Sequence, residues 1–310
     1  MATKNDTVKG GILITLGACC YGMLGTYVKM AYQAGFNTAE VTVSQFSLGF
    51  LGLFILTLFR PSKDTDQIPQ SMKSKIRLVA SGTSLGLTSI FYYLSVKYIA
   101  VSVAIVLLAQ SVWMGVLLEA IMQKKLPGIR KVLPVLIIMT GTVLATDLLN
   151  QAMVLNWKGV LFGLLSAVCY TATMFSTNHL DLHFPPLKRS LFMILGGLIL
   201  ILLVFQDALN PQFSGRIFYN WGLVISLFGT ILPPLLFTKG MPLAGIGLGA
   251  ILASIEIPIA VIMASILLGE QVLVTQWIGV GVILAAVVWM NIARRERTTG
   301  VLQQFGHTLS

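Results

Sequence analysis

The chain has 310 residues, of which 56% are hydrophobic and only 10% charged, with a formal net charge of +10 and a mean hydropathy of +0.85. A soluble domain carries about 25% charged residues. So few charges cannot cover a water-facing surface, which excludes a soluble globular protein and places most of the chain against lipid or other helices.

Ten stretches approach the ~20 apolar residues that a bilayer-spanning helix requires: about 10–33, 37–59, 76–96, 100–122, 131–148, 157–180, 187–207, 219–238, 244–268 and 271–292. The first contains "LGACC" (16–20) but stays apolar well beyond it, and is read as a retained helix rather than a cleaved signal. Cys19, Cys20 and Cys169 all fall inside spans, without metal-ligand spacing, as small packing residues. With the N-terminus in the cytoplasm, 17 of the 21 Lys and Arg lie in inside segments, among them Arg60, Lys63, Lys73, Lys75 and Arg77, then Lys124, Lys125, Arg130 and Lys131. This bias puts both termini in the cytoplasm of a multi-pass cell (inner) membrane protein and argues against nucleic acid as a partner.

The second half of the chain repeats the first. "VKGGILITLGACCYGML" (8–24) lies over "WKGVLFGLLSAVCYTAT" (157–173) at an offset of 149, with six of seventeen positions identical, including the Cys20-Tyr21 and Cys169-Tyr170 pairs. At an offset of 145, "VAIVLLAQSVWMGVLL" (103–118) lies over "LGAILASIEIPIAVIM" (248–263). Five spans is an odd number, so the second copy enters the membrane from the opposite side. The expected fold is an all-α integral membrane protein of ten transmembrane helices arranged as two inverted five-helix repeats. Residues 1–150 form the first repeat, 151–293 the second, and 294–310 a cytoplasmic basic tail. Inverted repeats suit alternating access around a midplane site.

The segment "SIEIPIAVIMASILLGEQVLVTQWIGVGVILAAVV" (254–288), through Glu256, Pro258, Gly269, Glu270, Gln276, Trp277 and Gly279, and the opening "KGGILITLGACCYGMLGTYVK" (9–29), resemble the drug/metabolite transporter superfamily in its EamA-like ten-helix branch. Gln45 stands where that branch often carries an arginine. The resemblance implies a secondary transporter of amino acids, other metabolites or drugs, often outward. It implies a basket-like bundle with a central cavity lined mainly by helices 1, 3, 4, 6, 8 and 9.

At ~1.5 Å per residue, Tyr21, Thr88, Gln110, Ser111, Trp113, Tyr170, Ser254 and Glu256 fall near mid-depth. Two stripes follow helical spacing: Ser81, Ser84, Thr88, Tyr92 and Ser95 on span 3, and Ser166, Tyr170, Thr173 and Thr177 on span 6. The substrate-binding candidates are therefore Tyr21, Ser84, Thr88, Tyr92, Gln110, Ser111, Trp113, Tyr170, Thr173, Ser254 and Glu256. Single hydroxyls in such stripes also serve as helix–helix glue. Glu256 is the sharpest of the set, because an acid at the centre of a span costs about 2.5–3.5 kcal/mol on insertion scales. It must face inward, pair, or carry a proton. Its repeat mate is Ser111. Pro258, and Pro233 with Pro234, invite bends or hinges in spans 9 and 8.

No catalytic residue, metal ligand or cofactor motif is assigned. The expected partners are a small-molecule substrate, protons as candidate coupling ions, and the lipid bilayer; monomer and homodimer both stay open. The leading function is export or exchange of a small polar metabolite such as an amino acid or amine. The alternatives are a multidrug or cation efflux carrier, an intramembrane enzyme, or a channel. An enzyme would need a nucleophile with its base, paired acids or a metal cluster at one depth, and Glu256 has no acidic or histidine companion at mid-depth.

Overall fold

A computed structural model describes residues 4–59, 71–99, 101–145, 156–210, 212–269 and 273–286. Every regular element among them is helical. The first half holds α1 (Lys4–Gln33), α2 (Thr38–Leu58), α3 (Met72–Tyr98), α4 (Val101–Leu108), α5 (Ser111–Gln123) and α6 (Ile129–Ala145). The second holds α7 (Trp157–His179), α8 (Pro186–Val204), α9 (Phe218–Ala244, which includes two π-helical turns), α10 (Ile246–Ala253), α11 (Glu256–Leu268) and α12 (Val274–Ala286). Among the described residues, seven helical segments are long and apolar enough to cross a membrane, with α4–α5 and α10–α11 each counting as one kinked span. Shorter apolar helices stand in α6 and α12, and α3 has the length but carries the polar stripe and Lys73, Lys75 and Arg77. Together these make the ten spans of an all-α integral membrane protein. The division near residue 150 and the 294–310 tail lie outside the described residues.

Local chemistry sets the ends. Asn37 caps α2, its side chain accepting from Glu40 N while the Glu40 carboxylate accepts from Asn37 N, a reciprocal capping box. Asn156 caps α7, and Pro186 opens α8 at a position that needs no N–H. Gly245, at φ +87°, supplies the turn from α9 into α10 that a side chain would oppose.

The two halves are antiparallel and interleaved. α1 begins where α9 ends: a Cβ on Gly10 would lie 2.7 Å from Leu243 Cβ and 2.8 Å from the Gly240 carbonyl oxygen. α7 ends at that same place, since Asn178 Nδ2 donates to Met241 O at 2.6 Å. At the opposite end, the Tyr32 hydroxyl near the close of α1 reaches Tyr93 O. There α7 begins beside the last turn of α3, where a Cβ on Gly159 would lie 2.6 Å from Ile99 Cγ2. The sequence-matched helices α1 and α7 thus run in opposite directions. Their neighbours exchange accordingly: α1 packs on α9 and α10–α11, and α7 packs on α3 and α4–α5.

The kinks repeat residue for residue. Gln110 N bonds Leu107 O (3.2 Å), Val112 N bonds Ala109 O (3.0 Å) and Met114 N bonds Gln110 O (3.2 Å). In the second half Ile255 N bonds Leu252 O (3.3 Å), Ile257 N bonds Ser254 O (3.1 Å) and Ile259 N bonds Ile255 O (3.3 Å). Each pair is separated by 145 residues. Both kinks therefore tighten the helix at the same step and deliver repeat mates, Ser111 and Glu256, to the start of the following helix.

Two sequence expectations shift. Span 8 does not stop at 238 but continues to Ala244, leaving Gly245 alone as the connection to span 9. Lys239, read as a loop cation, is helical. Pro233 and Pro234 do not break span 8. The π-helical turn Leu227–Ile231 just before them widens the helix and absorbs the missing N–H groups and ring clash. Pro258 sits in the first turn of α11, where no N–H partner is lost, and the kink lies before it.

Candidate functional site

The two kinks, with α1, α3 and α7, enclose a mid-bundle chamber in two lobes that share Leu108, Tyr170 and Glu256. One lobe is lined by Tyr21, Leu24, Thr88, Tyr92, Tyr93 and Leu85, besides the shared three. The other runs between the kinks, along Ile105, Ala109, Ser111, Ala253, Ser254 and Ile257. The lobes have volumes of about 40 and 10 Å³. A single water needs ~10–15 Å³. The chamber as it stands holds a few waters, and must widen to take a metabolite.

Glu256 is 8% exposed and opens α11. Its carboxylate accepts from the Tyr170 hydroxyl at 3.5 Å, a long bond and its single side-chain partner among the described residues. Tyr170 in turn packs edge-on against Tyr21 (centroids 6.0 Å apart), and Tyr21 edge-on against Phe237 of α9 (5.5 Å). Close backbone approach holds the acid in place: a Cβ on Gly22 would lie 2.6 Å from Glu256 O. Ser111 is 2% exposed and lines the chamber. Ser254 turns its hydroxyl back to Ile251 O at 2.6 Å. Among the described residues, no Lys or Arg lines either lobe.

Of the sequence-derived candidates, Tyr21, Thr88, Tyr92, Ser111, Tyr170, Ser254 and Glu256 come together around this chamber. Ser84 and Thr173 do not line it; their hydroxyls bond each other at 2.8 Å across the α3–α7 interface. The two stripes face one another there, with Ser95 Oγ donating to Gly159 O at 2.8 Å. Gln110 and Trp113 also stand apart. Trp113 is 38% exposed and gives its indole N–H to Gln110 Oε1 at 2.9 Å, on the outer side of the kink.

Several residues were not singled out in the sequence. Tyr93, 1% exposed, lines the chamber and donates its hydroxyl to Gln45 Oε1 at 2.6 Å. Gln45 therefore positions an aromatic wall from α2. Its adjacency to Tyr92 was the available signal. Leu24, Leu85 and Leu108 carried none, because leucines face lipid just as often. Glu40 does more than cap α2. Its second oxygen accepts from Ser214 N at 2.7 Å, tying α2 to the segment that leads into α9.

The EamA-like transporter family model matches the chain twice, over residues 8–146 and again over 157–292. The chain belongs to the EamA-like transporter family. It is a multi-pass membrane protein and a transporter rather than an enzyme, with a small-molecule substrate and a lipid environment. The "Uncharacterized transporter YcbK" of Bacillus subtilis (strain 168) is 22% identical over 306 residues, which cover 95% of this chain and 96% of that protein. A solved structure described as "Crystal structure of protein" matches with a TM-score of 0.70 at 15% identity, over 90% of this chain and 98% of that one, and shares the fold. The two family matches split between residues 146 and 157, and each takes in one of the two kinked spans.

Proposed function

We propose that this EamA-family protein is a secondary transporter that moves a small amine-bearing metabolite, an amino acid or amine, by alternating access. Export or exchange is the direction the family resemblance favours. Residues 1–150 and 151–293 act as the two inverted repeats. The N-terminal end of α1 faces the cytoplasm of the cell membrane, where the excess of Lys and Arg lies. Substrate binds at the junction of the repeats, at mid-depth.

The observation that carries this reading is Glu256: a buried acid at the start of a kinked half-helix, facing a chamber walled by Tyr21, Tyr92, Tyr93 and Tyr170, with no cation beside it among the described residues. An acid in a span is functional by default. An ammonium group supplies the missing counter-charge, and aromatic faces add cation–π attraction of about 0.5–2 kcal/mol. Multiply anionic substrates would place like charges together in a site that lacks a cation, which opposes binding. Protons titrate the same carboxylate, so proton coupling shares the site with the substrate.

Counterflow in proteoliposomes tests this. Vesicles loaded with unlabelled amines or amino acids are expected to accumulate the labelled compound, saturably and with sensitivity to an imposed pH gradient. Unsaturable conductance would identify a channel, and uptake of sugar phosphates in preference to amines would refute the substrate class.

A further inference from the structure

Outside the chamber, a buried polar cluster lies at the end of the bundle where α1 begins. Arg189, in the first turn of α8, is 2% exposed and the largest of the fully buried side chains. Its guanidinium donates to Thr177 O of α7 at 2.6 Å and to Thr238 O of α9 at 2.9 Å. Two residues beyond the end of α7, Asp181 accepts from Arg77 near the start of α3, through Nε at 2.9 Å and through Nη2. Ser190 and Thr238 share a hydroxyl bond at 2.9 Å, and Asn178 reaches Met241 O. Thus α3, α7, α8 and α9 are fastened together at this end by side chains of both halves.

The repeat allows a comparison with the other end. Thr238 and Tyr93 are mates at the 145-residue offset. Thr238 O receives a guanidinium N–H at 2.9 Å, whereas Tyr93 O receives the Tyr32 phenol at 3.5 Å, a hydroxyl that also pairs with Thr38 Oγ1 at 3.0 Å. Bonds from an ionised donor are roughly twice as strong as neutral ones. The two ends of a pseudo-symmetric bundle are therefore closed by unlike fastenings.

We propose that Arg189, with Asp181 and Arg77, is a latch that holds the cytoplasmic mouth shut and biases the resting protein toward outward opening. The inference rests on the alternating-access reading above. Opening the inner mouth separates the ends of α7 and α9 from α8 and α3, and each separation breaks one of these charged contacts. The outer mouth opens against the phenol bond, the neutral Ser95–Gly159 bond and a single charged contact, the Glu40–Ser214 tie.

Hydrogen–deuterium exchange on the full-length protein in nanodiscs, with no substrate present, tests the latch. The variants are Arg189→Met and, because that buried change can prevent folding, Arg77→Gln at a side chain that is half exposed. The latch predicts exchange at least tenfold faster in residues 176–183 and 238–245 for Arg189→Met, a smaller rise for Arg77→Gln, and no increase in residues 30–38 and 92–99. Uniformly faster exchange throughout both ends would show a general structural staple, and unchanged exchange at the inner segments would show no latch; either overturns the proposal. Slower exchange at the outer segments, accompanying the inner rise, is the signature of alternation. An inner rise with outer exchange unaltered would keep the latch and count against alternating access.

Discussion

A close helix contact gives a prediction whose size follows from geometry. α3 and α8 meet through small residues: a methyl built on Gly82 would overlap the Met193 carbonyl oxygen, and one built on Gly196 would overlap the Val79 carbonyl oxygen. A Cβ on Gly86 would lie 3.0 Å from Gly197 Cα. No rotamer change relieves a clash with backbone. For Gly82→Ala, α8 must retreat by about 1 Å or more to restore an ordinary C···O separation of ~3.3 Å. A gap of 0.5–1 Å forfeits a quarter to a half of each contact of ~0.1–0.2 kcal/mol. Over the few tens of atom pairs around Leu85, Leu191 and Ile194, this is about 1–3 kcal/mol, the usual range for overpacking. At roughly 2–4 °C per kcal/mol, the unfolding temperature in detergent, followed by tryptophan fluorescence, should fall by about 2–12 °C. Gly281→Ala is the control. Among the described residues, nothing lies within 4 Å of a Cβ there, and alanine's better helix propensity predicts an unchanged or higher Tm. Equal Tm for wild type and Gly82→Ala would refute the packing argument.

Three further outcomes are expected. Arg189→Met removes two charged hydrogen bonds from a buried site, worth about 1.5–3 kcal/mol each, and should lower the unfolding temperature more than Arg77→Gln does. Arg77's hydrogen bonds, followed by that of Ser74, hold the Asp181 carboxyl below its ordinary range. Its folded-state pKa is thus depressed, so the stability it contributes is complete above about pH 4 and is lost as pH falls through the folded value. The Tm difference between wild type and Asp181→Asn should be constant from about pH 5 to 8 and close in more acidic buffer. Tyr170→Phe deletes the hydroxyl that faces Glu256, and titration calorimetry with a transported amine should give a Kd about three- to tenfold weaker, the equivalent of one hydrogen bond.

Much of the architecture was legible in the sequence because a lipid-facing helix announces itself by length and apolarity. The pairing of Ser111 with Glu256 came from a weak alignment, yet the same offset describes the two kinks bond for bond. The site was legible only in part. Polar residues at mid-depth mark a depth but not a direction, so Gln110 and Trp113 were grouped with Glu256 although the kink turns them outward, and the Ser84–Thr173 bond could be read equally as glue or as lining. The α3–α8 contact was written in "GTSLG" (82–86), a small-xxx-small pattern of a kind that permits close approach in membranes. Arg189 looked like one more inside cation. Its burial depends on carbonyls of α7 and α9, which come from distant sequence and carry no residue signature. The length of α9 was underestimated because Thr238-Lys239-Gly240 has loop composition, while packing on α1 keeps it helical.

The account turns on whether the Glu256 carboxylate holds the substrate at the junction of the two halves. Counterflow by Glu256→Gln, reconstituted beside wild type and matched for insertion and Tm, measures this most directly. The isosteric amide keeps the shape and removes the charge. The account predicts at least a tenfold loss of amine counterflow together with loss of its pH dependence. Wild-type flux with an unaltered pH profile would contradict it.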